Sequence, residues 1–159
     1  MFKLGDRVVY PMHGAGIIEA IEEKEILGAR QKYYIMKLPL GDMRVMIPLD
    51  NANSIGIREV VNDDEIEHVL EVLRQDRTIM PANWNQRYRA NLEKMRSGDV
   101  AAVAEVVRNL MKRDQEKGLS TGERKMLDTA RQILISELIL VKQMEEESAT
   151  RLIEQLLES

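Results

Sequence analysis

The pattern of apolar and polar residues changes once along the chain. Up to about residue 60, short apolar, β-branched or aromatic runs alternate with turn signals, as in small antiparallel barrels. After residue 62, apolar residues recur at helical spacing. The sequence therefore predicts an α+β fold with two domains. Residues 1–61 are expected to form a small SH3/Tudor-like antiparallel β-barrel, and residues 62–159 an all-α helical bundle.

Five strands are predicted in the first domain. They cover residues 7–10, 17–25, 32–38, 43–47 and 57–60. In the second strand, alternation makes Ile17, Ala20 or Ile21, and Ile26 the expected inward-facing residues. The turn at 39–42 contains Pro and Gly, and it predicts a hairpin between the third and fourth strands.

Five helices are predicted in the second domain, and their boundaries follow from capping residues. Asn62 and the two aspartates after it cap the first helix, Gly98 and Asp99 separate the second from the third, and Ser120 to Glu123 is a capping box. The first three helices are expected at 63–75, 84–96 and 100–117. The fourth is about 25 residues long, and the last includes residues 149–157.

Composition argues against several functional classes. The chain has no cysteine, so it has neither a disulfide nor a thiolate nucleophile. It has no signal-peptide pattern and no apolar run near the roughly 18 residues of a membrane span, so we expect a cytoplasmic protein without membrane contact. His13 and His68 lie outside any motif, and no phosphate loop, HExxH or GxSxG motif occurs. We predict no enzymatic activity, cofactor, metal or small-molecule substrate.

The charges are distributed unevenly, although the net charge is only −4. Residues 84–131 carry 11 basic and 7 acidic side chains, whereas residues 61–83 and 132–159 each carry 2 basic and 6 acidic ones. A basic block between two acidic blocks is compatible either with a phosphate-facing surface or with ordinary surface ion pairs.

Trp84, the only tryptophan, begins the second predicted helix and has two interpretations. In the first, Trp84, Tyr88, Leu92 and Met95 form an apolar stripe and the indole is part of the core. In the second, the indole projects past the bundle and stacks on a base or wedges into a minor groove. The basic neighbours that would then contact phosphates are Arg87, Arg89 and Lys94.

Several short strings together resemble the CarD/CdnL family of bacterial transcription regulators. They are Phe2–Asp6, Val8–Pro11, His13–Gly14, Asn83–Trp84, Arg87–Lys94, Ser97–Asp99, Ala104–Arg108, Arg113–Asp114 and Leu119–Ser120 with Glu123. The resemblance covers both predicted domains. It implies a Tudor-like domain that binds a lobe of the RNA polymerase β subunit, as in the Mfd repair-coupling factor, and a helical DNA-binding domain.

The resemblance also implies roles for individual residues. The family's tryptophan, matched by Trp84, wedges into the minor groove at the upstream edge of the melted promoter. The expected polymerase contacts are Lys24, Arg44 and Met46. Family members often carry arginine on these strands, whereas Lys24 lacks the bidentate guanidinium and Met46 offers only apolar contact.

The expected function is therefore that of a transcription regulator, nucleoid-associated in the cytoplasm and monomeric. It would bind the β subunit of the polymerase holoenzyme and promoter DNA, and it would stabilise the open promoter complex. The alternative is a protein–protein adaptor on RNA polymerase that makes no direct DNA contact and buries Trp84.

Overall fold

The computed structural model describes residues 2–158. The N-terminal part of the chain is a five-stranded antiparallel sheet. Its strands are β1 (Arg7–Tyr10), β2 (Gly14–Ile26), β3 (Ala29–Lys37), β4 (Arg44–Pro48) and β5 (Arg58–Glu59), and their order in the sheet is β4-β3-β2-β1-β5. A 3-10 turn and the short helix α1 (Ala52–Ile55) return the chain so that β5 pairs with β1. This arrangement confirms the predicted SH3/Tudor-like fold.

The core of this sheet contains a different set of β2 residues from the one predicted. Ile18 is 1% exposed, whereas Ile17, Ile21 and Ile26 are exposed by 39%, 44% and 45%. A β-bulge between Ile18 and Ala20 shifts the register, which changes the face that the following side chains occupy. The rest of this core is formed by Val8, Tyr34, Met36, Leu38, Ile47, Ala52 and Ile57.

Part of the β2–β3 hairpin extends beyond the other strands. β1 pairs with β2 only as far as Ile17, and β4 pairs with β3 only from Tyr33 onward. Residues 22–32 therefore form a two-stranded arm, and all of them are exposed. The expected inward position of Ile26 is wrong, because no other element among residues 2–158 covers the arm and Ile26 is 45% exposed.

The second part of the described chain is a bundle of five helices, as predicted. They are α2 (Asp63–Arg74), α3 (Trp84–Arg96), α4 (Val100–Glu116), α5 (Thr121–Lys142) and α6 (Glu146–Glu158). The predicted caps are present: Asn62 and Ser120 each form a capping box, and Asp99 accepts a hydrogen bond from the Ala101 amide. Within residues 2–158, no helix is long and apolar enough to cross a lipid bilayer.

Helix α5 packs directly against the sheet. Leu140 is buried with Val9 and Ala15, and the amide of Ala15 donates a 2.8 Å hydrogen bond to Ser136 Oγ. Gly14 lies so close to α5 that an added Cβ would approach Ser136 Oγ to 2.7 Å. The backbone of β2 therefore contacts the helix without an intervening side chain.

A buried carboxylate joins the two parts of the molecule. Glu137 of α5 is 0% exposed, and it accepts two 3.0 Å hydrogen bonds from the Arg58 guanidinium of β5. It also accepts a 2.9 Å hydrogen bond from the Val61 amide, and Arg58 Nε donates to the Gly98 carbonyl. We call Glu137, Arg58 and their backbone partners the interdomain latch. It ties the sheet, the linker before α2 and the α3–α4 connection to one helix.

Candidate nucleic-acid interface

Trp84 is the first residue of α3 and remains partly exposed. Asn83 caps the helix, since its side chain accepts a hydrogen bond from the Gln86 amide at 3.1 Å. The indole stacks on Tyr88, with ring centroids 5.0 Å apart and an interplanar angle of 22°, and its Nε1 donates a 2.8 Å hydrogen bond to Ser120 Oγ. Trp84 is 41% exposed, so its interpretation as a core residue is wrong.

Arg87 is buried under this site rather than exposed beside it. It is 3% exposed, and its Nε and Nη2 donate to Glu123 at 2.7 and 3.3 Å. Its Nη1 donates to the Ala82 carbonyl at 3.1 Å. The predicted role of Arg87 as a direct phosphate contact is therefore corrected: burial and internal partners make it a residue that positions the start of α3.

Glu123 connects Arg87 to the partner of the indole. Ser120 Oγ donates to Glu123 Oε1 at 3.1 Å while it accepts the hydrogen bond from Trp84. Burial by itself would raise the pKa of Glu123, but hydrogen bonds from Arg87 and Ser120 outweigh it and hold that pKa below its ordinary value. The charged network Arg87–Glu123–Ser120 thus provides a fixed acceptor for the Trp84 indole.

The other two predicted phosphate contacts lie on α3 at some distance from each other. Arg89 is exposed, and within residues 2–158 no carboxylate lies within 4 Å of its guanidinium. Lys94 is half-buried and lies 3.5 Å from Glu105. With a rise of about 1.5 Å per residue, Lys94 lies roughly 15 Å along the helix axis from Trp84. With a rotation of about 100° per residue, Lys94 and Arg89 are about 140° apart around that axis. Arg89 is thus the more available of the two cations. It lies about 7.5 Å along the helix and about 140° around its axis from Trp84, so it projects from a different face than the indole.

The three residues predicted to contact polymerase share one face of the sheet. Each is paired with a residue of β3: Lys24 with Gln31, Arg44 with Lys37 and Met46 with Ile35. These three β3 residues are separated by even numbers of positions, so their side chains, and those of their partners, lie on the same face. This face lies opposite the core face that contains Tyr34 and Met36. Lys24 is set apart, because its partner lies four residues, about 13 Å, along β3 from the partner of Met46.

Strand β4 forms an open edge of the sheet. It pairs with β3 alone among the described residues, whereas the opposite edge strand, β5, contacts the helical bundle through Arg58. On β4, Met46 is 40% exposed and Arg44 forms a bidentate pair with Glu19 at 2.7 and 3.2 Å. An edge strand with exposed apolar and cationic side chains is suited to pairing with a strand of another protein.

Comparison with known families matches both parts of the chain. Residues 2–61 match the family model described as "CarD-like/TRCF RID domain". Residues 68–154 match the one described as "CarD, C-terminal domain". The chain belongs to the CarD family. The resemblance found from the sequence strings is thereby confirmed.

A named relative agrees with this membership of the CarD family. The chain is 45% identical over 142 residues, 89% of its length and 93% of the relative's, to a Bacillus subtilis (strain 168) protein named "Putative transcription factor YdeB". A solution NMR structure of the 72-residue N-terminal domain of Myxococcus xanthus CarD is 34% identical, with a TM-score of 0.33. That match covers 37% of this chain and 79% of the other. The family assigns this protein to transcriptional regulation.

Two residues of the Trp84 site in this CarD-family chain were not identified as site residues from the sequence. The apolar pattern predicts Tyr88 as part of a core stripe, although its spacing of four residues from Trp84 also fits a stacked pair. Ser120 was identified only as a helix cap. Its contact with Trp84 spans 36 residues, and no local pattern reports a pair at that separation.

Proposed function

We propose that this CarD-family protein binds the RNA polymerase β subunit through its N-terminal sheet and stabilises the open promoter complex with Trp84 at the upstream edge of the bubble. The observation that carries the proposal is the state of the indole. Trp84 is 41% exposed, yet Tyr88 and Ser120 fix its orientation. A ring that is ordered before binding loses less entropy when it contacts DNA.

The energetics of such a contact are adequate for a regulator. Stacking of a base on an aromatic side chain contributes about 1–3 kcal/mol, which offsets much of the few kcal/mol needed to unstack a base step. At the edge of a bubble the bases are already partly unstacked, so the ring binds open DNA better than closed duplex. A preference of about 1.4 kcal/mol for the open state shifts its equilibrium about tenfold.

Cations of α3 supply the phosphate contacts in this proposal. Arg89 is exposed five residues after Trp84, and Lys94 can exchange its partner Glu105 for a phosphate. Such contacts give affinity and position, but they carry no sequence information. Arg87 acts indirectly, because it holds Glu123 and the start of α3 in place.

The sheet provides the polymerase contact in this proposal. Strand β4 would pair with a strand of the β subunit, with Arg44 and Met46 on the exposed face and Lys24 on the arm. Tethering raises the effective concentration of Trp84 at the promoter, so a weak DNA contact is sufficient. This requires a defined geometry between sheet and bundle, which the interdomain latch supports.

The test is the lifetime of open complexes that polymerase holoenzyme forms on a short-lived promoter. We would compare no factor, wild type, Trp84→Ala and the matched control Leu4→Ala, which removes another exposed apolar side chain. We expect wild type and Leu4→Ala to extend the lifetime and Trp84→Ala to lose most of the extension, with polymerase binding preserved.

Other outcomes would change the assignment. If Trp84→Ala extends the lifetime as wild type does, the indole contact is refuted and the activity lies in the cations or the sheet. If no variant extends it while all bind polymerase, the adaptor function replaces the proposed one.

A further inference from the structure

A basic cavity lies between the segment before α3 and the C-terminal end of α4. Its volume is about 220 Å³, and it is lined by Arg77, Thr78, Arg113, Glu116 and Lys117 together with the apolar Ile79 and Met80. Three basic residues and one acidic residue thus line the same space. The cavity is separate from the Trp84 indole, which contacts Tyr88 and Ser120.

Two of these cations have no acidic partner. Glu116 is paired with Arg77 at 2.6 Å. Among residues 2–158, no carboxylate lies within 4 Å of the charged atoms of Arg113 or Lys117, and the buried Nε of Arg113 has no hydrogen-bond partner. Because this Nε is itself inaccessible, a ligand in the cavity would meet other atoms of Arg113 and of Lys117, whose charges no described carboxylate neutralises.

A second arginine with one unpaired donor lies behind the lining residue Thr78. Arg108 is 1% exposed, and its Nη2 is buried without a hydrogen-bond partner in the described chain. Its Nη1 donates to the Val72 carbonyl at 3.0 Å and its Nε to Asn109 Oδ1 at 3.2 Å, and Asn109 Nδ2 donates to Thr78 Oγ1 at 2.8 Å. Only the side chain of Asn109 therefore separates the buried Arg108 guanidinium from Thr78 in the cavity wall. A buried charge without a counter-ion is costly, and an anion in the cavity would offset that cost.

Helix geometry gives only part of the explanation for these cations. Cations at a helix C-terminus complement the helix dipole, which accounts for basic residues near the end of α4. It does not account for donors that are buried and unpaired, since an exposed lysine would serve the dipole equally well. The additional feature is the shape of the cavity, which brings Arg77 from another segment to the same place.

We propose that this cavity binds a phosphate group. Arg113 and Lys117 are four residues apart on one helical face, so both can reach a single ligand. The oxygen of Thr78 already accepts a hydrogen bond from Asn109, which leaves its O–H to donate. A phosphate has the charge and the several acceptor oxygens that such a set of donors requires.

The phosphate can come from nucleic acid or from a free anion. Lys117 is three residues from Ser120, so the two Cα atoms are at most about 11 Å apart. A DNA backbone that passes Trp84 could therefore reach the cavity. The inference does not rest on the proposed function, because binding of inorganic phosphate can be measured without DNA or polymerase.

The test is a titration of the full chain followed by the amide NMR signals of Thr78 and Lys117. One arm uses inorganic phosphate at constant ionic strength, and the other a short DNA duplex. The variants are Lys117→Gln, at an exposed position that should not disturb folding, and Arg113→Gln. The matched control, Lys32→Gln, removes one positive charge from the distant arm.

We expect saturable shifts at both amides, with the dissociation constant raised about tenfold or more by Lys117→Gln and unchanged by Lys32→Gln. Shifts with inorganic phosphate alone identify a free anion as the ligand. Shifts with the duplex identify a DNA phosphate if, in addition, the slope of log affinity against log salt concentration is smaller in magnitude by about 0.9 for Lys117→Gln than for wild type. Absence of saturable shifts in both arms, or an equal loss in Lys32→Gln, overturns the proposal. Trp84→Ala should leave phosphate binding intact, so failure of the two proposals can be distinguished.

Discussion

Replacement of Glu137 by Gln should loosen the connection between the sheet and the helical bundle. The substitution preserves size but removes the charge and one of the two acceptor oxygens. Arg58 and the Val61 amide together direct three hydrogen bonds at this carboxylate. A glutamine offers one oxygen to these donors and points its own NH₂ group at the remaining ones.

The magnitude follows from the burial of the two partners. Breaking a fully buried ion pair costs about 3–5 kcal/mol, because a charge remains buried without a partner. Here Glu137 is 0% exposed, but the Arg58 side chain is 28% exposed and water can solvate it in part. We therefore expect Glu137→Gln to lower the free energy of unfolding by about 2–3 kcal/mol, less than the loss of a fully buried pair.

Urea unfolding followed by circular dichroism measures this change. The matched control is Glu154→Gln, which removes a partly exposed ion pair with Arg131 and should cost less than about 1 kcal/mol. If Glu137→Gln costs no more than the control, the latch does not hold the two domains together. A Glu137→Gln variant that binds polymerase normally yet stabilises open complexes poorly would show that relative domain position matters for function.

Two further predictions concern the support of Trp84. Ser120→Ala removes the acceptor of the indole N–H and a helix cap, so it should cost about 1 kcal/mol and shift Trp84 emission to longer wavelength; unchanged emission would contradict the role of Ser120. The pKa of Glu123 in the folded protein is held below its ordinary value, so the charged carboxylate stabilises the fold. This stabilisation is fully present above about pH 4.3, the usual pKa in the unfolded chain, and it is lost as the pH falls through the lower folded pKa. Glu123→Gln should remove that acid-dependent loss, so equally steep acid titrations of both proteins would contradict it.

Local chemistry made much of the fold predictable from the sequence. The capping boxes at Asn62 and Ser120 and the break at Gly98 depend on residues only a few positions apart. The β2 register was not predictable in the same way. A bulge after Ile18 adds one residue to one strand, and alternation alone cannot reveal where that happens.

The candidate site was predictable only in part, because its decisive contacts are long-range. The position of Trp84 at a helix start was evident, but its exposure was not. The sequence predicts a surface cation at Arg87, because its partner Glu123 lies 36 residues away and no local pattern connects the two. Likewise, no sequence pattern pairs Arg58 with Glu137 across 79 residues.

The proposed contact between the Trp84 indole and DNA at the upstream edge of the open bubble can be measured with 2-aminopurine. The promoter DNA carries this base at successive positions across that edge, in open complexes with polymerase holoenzyme. Stacking of the indole on a neighbouring base should change 2-aminopurine fluorescence at one or two adjacent positions with wild type and with Leu4→Ala, but not with Trp84→Ala. A fluorescence profile that is the same for Trp84→Ala and wild type would contradict the account.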